Sequence, residues 1–186
     1  MLHVEDKKLL LKMAREAIAA RWPDTGQSEA QPEESPHSEQ SYQGVFVSLH
    51  IREKLRGCVG SLKAVANLAE TIGHAAQAAA FQDPRFPPLQ AEELPETQIE
   101  ISLLYPMQTL HTPEALEIGK DGLMIRCGEK HGLLLPQVAS RRNWDARTFL
   151  QHLCRKADLP PDAWQSPQAE LYHFRAEIFS DIAPEP

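Results

Sequence analysis

The sequence predicts an α+β fold of mostly antiparallel sheet with packed helices, and three observations carry that reading. Apolar residues recur at helical spacing in a few separated segments and alternate with period two in others. Two pairs of strand-like segments are joined by short polar turns, as in hairpins. Helices and strands do not follow one another in a regular βαβ rhythm, and no internal repeat stands out.

Residues 8 to 20 place Leu10, Ala14, Ala17 and Ile18 on one helical face and Lys12, Arg15 and Glu16 on the other, with Pro23 as the stop. The segment 23–44 is polar, proline-bearing and nearly free of large apolar groups, so its composition predicts a mobile loop within one domain. VFVSLHI (45 to 51) alternates Val45, Val47, Leu49 and Ile51 against Phe46, Ser48 and His50; REK turns, and LRGCVGSL returns as its partner strand. A helix follows over 67–80, capped by Asn67 with Glu70 three residues on, and striped by Leu68, Ile72, Ala75, Ala76 and Ala79. That alanine-rich stripe implies close approach to a sheet. DPRFPPL (83 to 89) is too proline-rich for regular structure.

IEISLLYP is a strand through Ile99, Ile101 and Leu103, which leaves Glu100 on its open face. TPEAL opens a short helix, with Thr112 as cap and Pro113 at the first helical position. KDGLMIRC, GEKHG and LLLPQVA read as strand, turn and strand, with Pro136 ending the run GLLLP. A helix over 145–157 buries Phe149, Leu150, Leu153 and Cys154. A closing strand, AELYHFRAEIF, sets Tyr172, Phe174, Ala176 and Ile178 in one phase.

The chain has 186 residues, sized for a single domain over 1–186. Its net charge of -7 works against nucleic acid and anionic membranes as partners. No apolar run approaches the roughly 20 residues of a membrane span, and the acid-bearing N-terminus does not read as a signal peptide. The expected compartment is the cytoplasm. Three widely spaced cysteines, Cys58, Cys127 and Cys154, form neither a disulfide framework nor a CxxC zinc site. The eight histidines include no HxH or HxxxH pair, so neither metal nor cofactor is expected.

LRGCVG, residues 55 to 60, is where chemistry concentrates. Extended backbone puts Arg56, Cys58 and Gly60 on one face and Leu55, Gly57 and Val59 on the other, with Arg56 and Cys58 Cα atoms roughly 6.7 Å apart. Glycines beside the sulfur permit close approach of a ligand or of another backbone. A free thiol is only about 3% thiolate at pH 7, and stabilising the anion by about 2 kcal/mol would make it about half the population. The competing reading is that Cys58 is a small buried hydrophobe and Gly57 and Gly60 serve packing.

Catalytic candidates are therefore Cys58, with His74 and His50 as possible bases: His74 falls off the core stripe of its helix, and His50 lies opposite the core phase of its strand. Arg56, Gly57, Gly60, Asp83 and Arg85 are the candidate ligand-binding residues. Asp83 and Arg85 flank Pro84 either as a local cap and salt bridge, or with Arg85 joining Arg56 in an anion-binding surface. Trp144 near Arg141 and Arg142 suggests base stacking or, more simply, a packing anchor. Cys127 and Cys154 read as structural.

GVFVSLH, LRGCVGSL, AAFQDPRFPPL, EELPETQIEISLL, IGKDGLMI, GLLLPQVA and the W-D-x-x-x-F-L-x-x-L-C-x-K-A segment from Trp144, in this order, resemble the AMMECR family, also called AmmeMemoRadiSam system protein A. The likeness runs from Leu9 to Phe179; the 23–44 segment is longer than the family pattern, and Val59 stands where isoleucine is common. The resemblance implies an α+β unit with a large and a small lobe. It also implies a shared pathway with a MEMO-like protein and a radical S-adenosylmethionine enzyme, without fixing a reaction. It marks Leu55 to Gly60 and Asp83 to Phe86 as the signature. Two functions are compatible with these residues: an enzyme or enzyme component centred on Cys58 and Arg56, or a binding and adaptor module that presents the LRGCVG surface to a partner.

Overall fold

A helix forms where Asn67 offers a cap and the residues after it an apolar stripe. In the computed structural model, which describes residues 1–22, 41–63, 65 and 67–181, helix α1 spans Val4–Ala19 and helix α2 spans Leu68–Phe81. The side chain of Asn67 accepts from the Glu70 N–H at 3.1 Å and fixes the start of α2. Its stripe of Leu68, Ile72, Ala75, Ala76 and Ala79 is buried, as the spacing predicts, and His74 is exposed. Helix α1 starts one turn earlier than its apolar pattern suggests, with Glu5 and Asp6 in its first turn, where acids favour the positive end of the helix. Of the polar 23–44 segment, residues 23–40 lie outside the described residues; Tyr42 is buried and Gly44 already begins a strand.

The chain divides into two units, Met1–Leu103 with Glu177–Pro186, and Leu104–Ala176. In the first, β1 (Gly44–Ile51) and β2 (Lys54–Ser61) form an antiparallel hairpin, and β3 (Gln98–Leu104) lies on the other side of β1. The hairpin closes through Arg52 and Glu53, both at positive φ (49° and 65°). A two-residue turn matched to the strand twist demands that conformation, which usually falls to glycine or asparagine. Helix α2 packs against β1 and β2, and against α1. Val45, Val47, Leu49, Ile72 and Ile101 are completely buried in this unit.

Buried charge in the first unit is paired. Glu177 accepts from the Leu2 N–H at 3.0 Å, from the Tyr42 hydroxyl at 3.0 Å and from Lys7 Nζ at 2.8 Å. Glu100 is 5% exposed, not open to solvent as its phase suggests, because every residue from Ile99 to Leu104 is buried.

In the second unit β7 (Ala169–Ser180, whose last residues belong to the first unit) carries β5 (Asp121–Cys127) and the short β4 (Gln108–Thr109), and β6 (Lys130–Leu134) pairs with β5. These pairings are antiparallel, so the fold is α+β with mainly antiparallel sheet. The β5–β6 turn places Gly128 first, at φ 60°. One expectation fails here. LLLPQVA does not stay extended: the strand ends before Pro136, which opens helix α3 (Pro136–Arg141), since proline suits the first helical position. TPEAL forms the expected short helix, a 3-10 turn over Pro113–Ala115 capped by Thr112.

Helix α4 (Ala146–Lys156) is capped by Asp145, which accepts from the Thr148 N–H at 2.7 Å. It buries Phe149, Leu150, Leu153 and Cys154 against Leu123 and Ile125. Cys154 is thus a core residue as expected, whereas Cys127 is half-buried. Among the described residues no helix is long and apolar enough to cross a membrane.

Candidate functional site

The LRGCVG stretch is most of β2, and β2 ends the strand order of its sheet. Ser48 pairs with Cys58 across the hairpin, and the Ser48 hydroxyl lies 3.3 Å from the Cys58 sulfur. In an antiparallel pair a residue turns both backbone groups toward its partner or both away. Those of Cys58 reach outward, at the free edge. Its N–H donates to Asp83 Oδ2 at 2.8 Å, and its carbonyl accepts from Arg85 Nη2 at 3.1 Å. Asp83 and Arg85 thereby occupy the edge as a neighbouring strand would.

The two clamping residues are also locked to one another. Arg85 donates through Nε to Asp83 Oδ1 at 2.9 Å and through Nη2 to Oδ2 at 2.7 Å, and its backbone N–H adds a third bond at 3.1 Å. The Arg85 hydrogen bonds, aided by the Cys58 and Arg85 amides, hold the Asp83 carboxyl far below the usual aspartate range despite its burial. Asp83 in turn raises Arg85. Arg85 also lies over the Phe86 ring, 5.5 Å from its centroid. The local salt bridge between Asp83 and Arg85 is present.

Arg56 does not simply continue the face of Cys58. The register passes from Leu49↔Gly57 to His50↔Leu55, which leaves Arg56 as the extra residue of a β-bulge. Its guanidinium forks onto Glu93, with Nε to Oε1 at 2.8 Å and Nη2 to Oε2 at 2.9 Å, and Nη1 donates to the Pro87 carbonyl at 2.8 Å. Arg56 holds Glu93 below the usual glutamate range. Arg56 and Arg85 are therefore each matched by a carboxylate of the chain itself.

The glycines serve packing. A Cβ on Gly57 would lie 2.1 Å from the Ala79 carbonyl oxygen of α2, and one on Gly60 would lie 2.4 Å from the Phe46 ring. The close approach that the bare backbone permits is made by another part of the chain. Gly57 and Val59 face α2, where a cleft of about 290 Å³ is lined by Val45, Val59, Thr71 and His74. Cys58 points to the opposite side with Ser48, so His74 and the sulfur are separated by the strand itself. His50 lies in the phase of Ser48, half-buried, two residues along β1. The side chain on the sulfur is that of Ser48.

Of the eight residues singled out, the fold gathers Cys58, Asp83 and Arg85 at one strand edge and sets Arg56 beside them; Gly57 and His74 belong to the α2 side. Ser48 and Glu93 are the participants that sequence reasoning missed. Ser48 shared the phase of His50 and needed only the hairpin register to be placed; Glu93 carries no local signal. Among the described residues no group of three or more His, Cys, Asp or Glu side chains could hold a metal ion.

A family model, AMMECR1, matches residues 11–179. The chain belongs to the AMMECR1 family. Protein MK0488 of Methanopyrus kandleri is 39% identical over 193 residues, covering 99% of this chain and 92% of its own. Protein TK0174 of Thermococcus kodakarensis is 42% identical over 163 residues, covering 82% and 80%. The crystal structure of the uncharacterized protein PH0010 from Pyrococcus horikoshii superposes with a TM-score of 0.87 at 36% identity, over 98% of this chain and 95% of that one. The AMMECR1 fold thus includes both LRGCVG and DPRF within its matched span.

Proposed function

We propose that this AMMECR1-family chain is a cytoplasmic binding and adaptor module. The surface around Leu55, Cys58, Arg85 and Phe86 docks a MEMO-like protein, in a pathway that also includes a radical S-adenosylmethionine enzyme. The observation that carries this reading is the prior engagement of both guanidiniums: Arg56 is forked onto Glu93 and Arg85 onto Asp83. Their charges cancel within the chain, so the surface offers a partner shape and apolar area instead of an unpaired cation.

Engagement also makes the surface stiff. Arg85 is held by four hydrogen-bonding contacts and Arg56 by two prolyl carbonyls besides Glu93. A side chain already ordered loses little entropy on docking, a saving of about 0.5–1.5 kcal/mol for each long side chain. Leu55, 39% exposed, gives the surface an apolar contact next to the bulge.

Calorimetric titration of the MEMO-like protein of the same organism tests this. Leu55→Asp places a charge on the docking face without touching a buried group, and is expected to weaken binding at least tenfold. Unchanged affinity for Leu55→Asp in a folded protein would overturn the assignment of this face.

A further inference from the structure

A second charged feature lies at the corner between α3 and α4, wholly within the second unit. Most arginines of this acidic chain are tied to carboxylates: Arg15 to Asp181, Arg52 to Glu96, Arg126 to Glu170, and Arg175 to Glu117 and Asp121, besides Arg56 and Arg85. Arg142 and Arg155 are different. Both are exposed, and among the described residues neither has a carboxylate within ion-pair distance; what they touch is aromatic.

The geometry is a stack. The Trp144 and His152 rings are nearly parallel, 7° apart, with centroids separated by 3.8 Å. The Arg142 guanidinium lies 5.4 Å from the Trp144 centroid, and Arg155 Nη1 lies 3.5 Å from His152 Nε2. An arginine can only donate, so a hydrogen bond across this contact uses Nε2 as the acceptor. Trp144 also packs on Phe149 of the core, which makes the stack a fixed platform. The acids nearest in sequence are Asp145, three residues from Arg142 and bonded to the Thr148 N–H at the cap of α4, and Asp158, three residues from Arg155. Each ring of the stack thus carries an arginine with no carboxylate in ion-pair distance, and the imidazole supplies a third cation on protonation. His152 is held below the usual histidine range by burial and then by Arg155 and Arg142.

We propose that Arg142, Arg155 and His152 form a binding site for a phosphate group. Two guanidinium forks match the oxygens of a tetrahedral dianion, and the charge they leave uncompensated is balanced by a dianion better than by a carboxylate. Because His152 already covers Trp144 at stacking distance, the site recognises the phosphate and not an aromatic base on that ring face.

The test is a titration of the full chain with inorganic phosphate at low ionic strength and pH about 7, followed through the His152 imidazole resonances. Parallel arms use a phosphomonoester without an aromatic group, and acetate. Phosphate is expected to shift His152 saturably and to raise the pH at which its ring titrates, with acetate at least tenfold weaker. Tighter binding of the ester identifies a phosphorylated metabolite, and equal binding the free anion; both support the site. R142Q and R155Q are each expected to weaken binding about tenfold, and R126Q, which alters an arginine already paired with Glu170, to leave it unchanged. A His152 response reproduced by equal ionic strength of chloride, retained in R142Q/R155Q, or absent altogether would overturn the proposal.

Discussion

Asp83→Asn probes the clamp on β2. Asp83 is 5% exposed and accepts at both oxygens: Oδ1 from the Arg85 N–H and Nε, Oδ2 from the Cys58 N–H and Arg85 Nη2. An amide keeps one acceptor and turns the other position into a donor. Whichever way it is placed, two N–H groups confront an NH₂. A buried donor left without a partner costs about 1–3 kcal/mol. The lost charge pairing adds little more than about 0.5–1 kcal/mol, because the Arg85 side chain is 49% exposed and solvent screens it. The expected loss is about 2–3 kcal/mol. For a chain of this size that is a fall in Tm of roughly 5–10 °C.

The pH dependence gives the sharper reading. The folded carboxyl is depressed, so its contribution is fully present above the unfolded aspartate pKa of about 3.9 and is lost as pH falls from there toward the folded value. Urea melts should show a constant gap between wild type and Asp83→Asn from about pH 5 to 8, narrowing below about pH 4. A gap under about 0.5 kcal/mol at pH 7 would refute the clamp. So would a gap that does not narrow in acid.

Other outcomes follow from the same contacts. Gly57→Ala drives a methyl to within 2.1 Å of the Ala79 carbonyl and should cost about 1–3 kcal/mol or more by thermal melting. Gly128→Ala meets no atom within 4 Å and should cost only the penalty of its positive φ, about 1–2 kcal/mol. In native protein iodoacetamide should label Cys58 and Cys127, both half-buried, while Cys154 labels only with denaturant, since burial both shields it and pushes its thiol up. Arg56→Lys replaces a planar fork by a single ammonium; it should lose about 1–2 kcal/mol of stability, seen as a lower urea midpoint at unchanged slope.

Local chemistry was readable from the sequence; distant partners were not. Asn67 and Asp145 announce helix starts because the N–H groups their side chains accept from lie three residues on. The α2 stripe predicts close approach to a sheet, and Gly57 under Ala79 is where that happens. Period two, however, assumes an unbroken strand, and the bulge at Arg56 redirects the guanidinium onto Glu93 of a later segment. Phase likewise could not reveal that β3 is buried along its length, which encloses Glu100. Pro136 ends the GLLLP strand as its chemistry predicts, and it also opens a helix, as Pro113 does. The signature LRGCVG with DPRF is the clearest case: the residues were identifiable, but their being two halves of one capped strand edge required the hydrogen bonds of Cys58.

The docking account is tested most directly by separating the bulk of Cys58 from its chemistry. In a Cys127→Ser background, binding of the MEMO-like protein would be titrated with Cys58 free, with Cys58 carboxamidomethylated, and with Cys58→Ser. A docking face predicts that the adduct blocks binding at least tenfold while the serine variant binds within about threefold of wild type, a difference below 1 kcal/mol. Loss of binding in Cys58→Ser, or undiminished binding by the adduct, would contradict it.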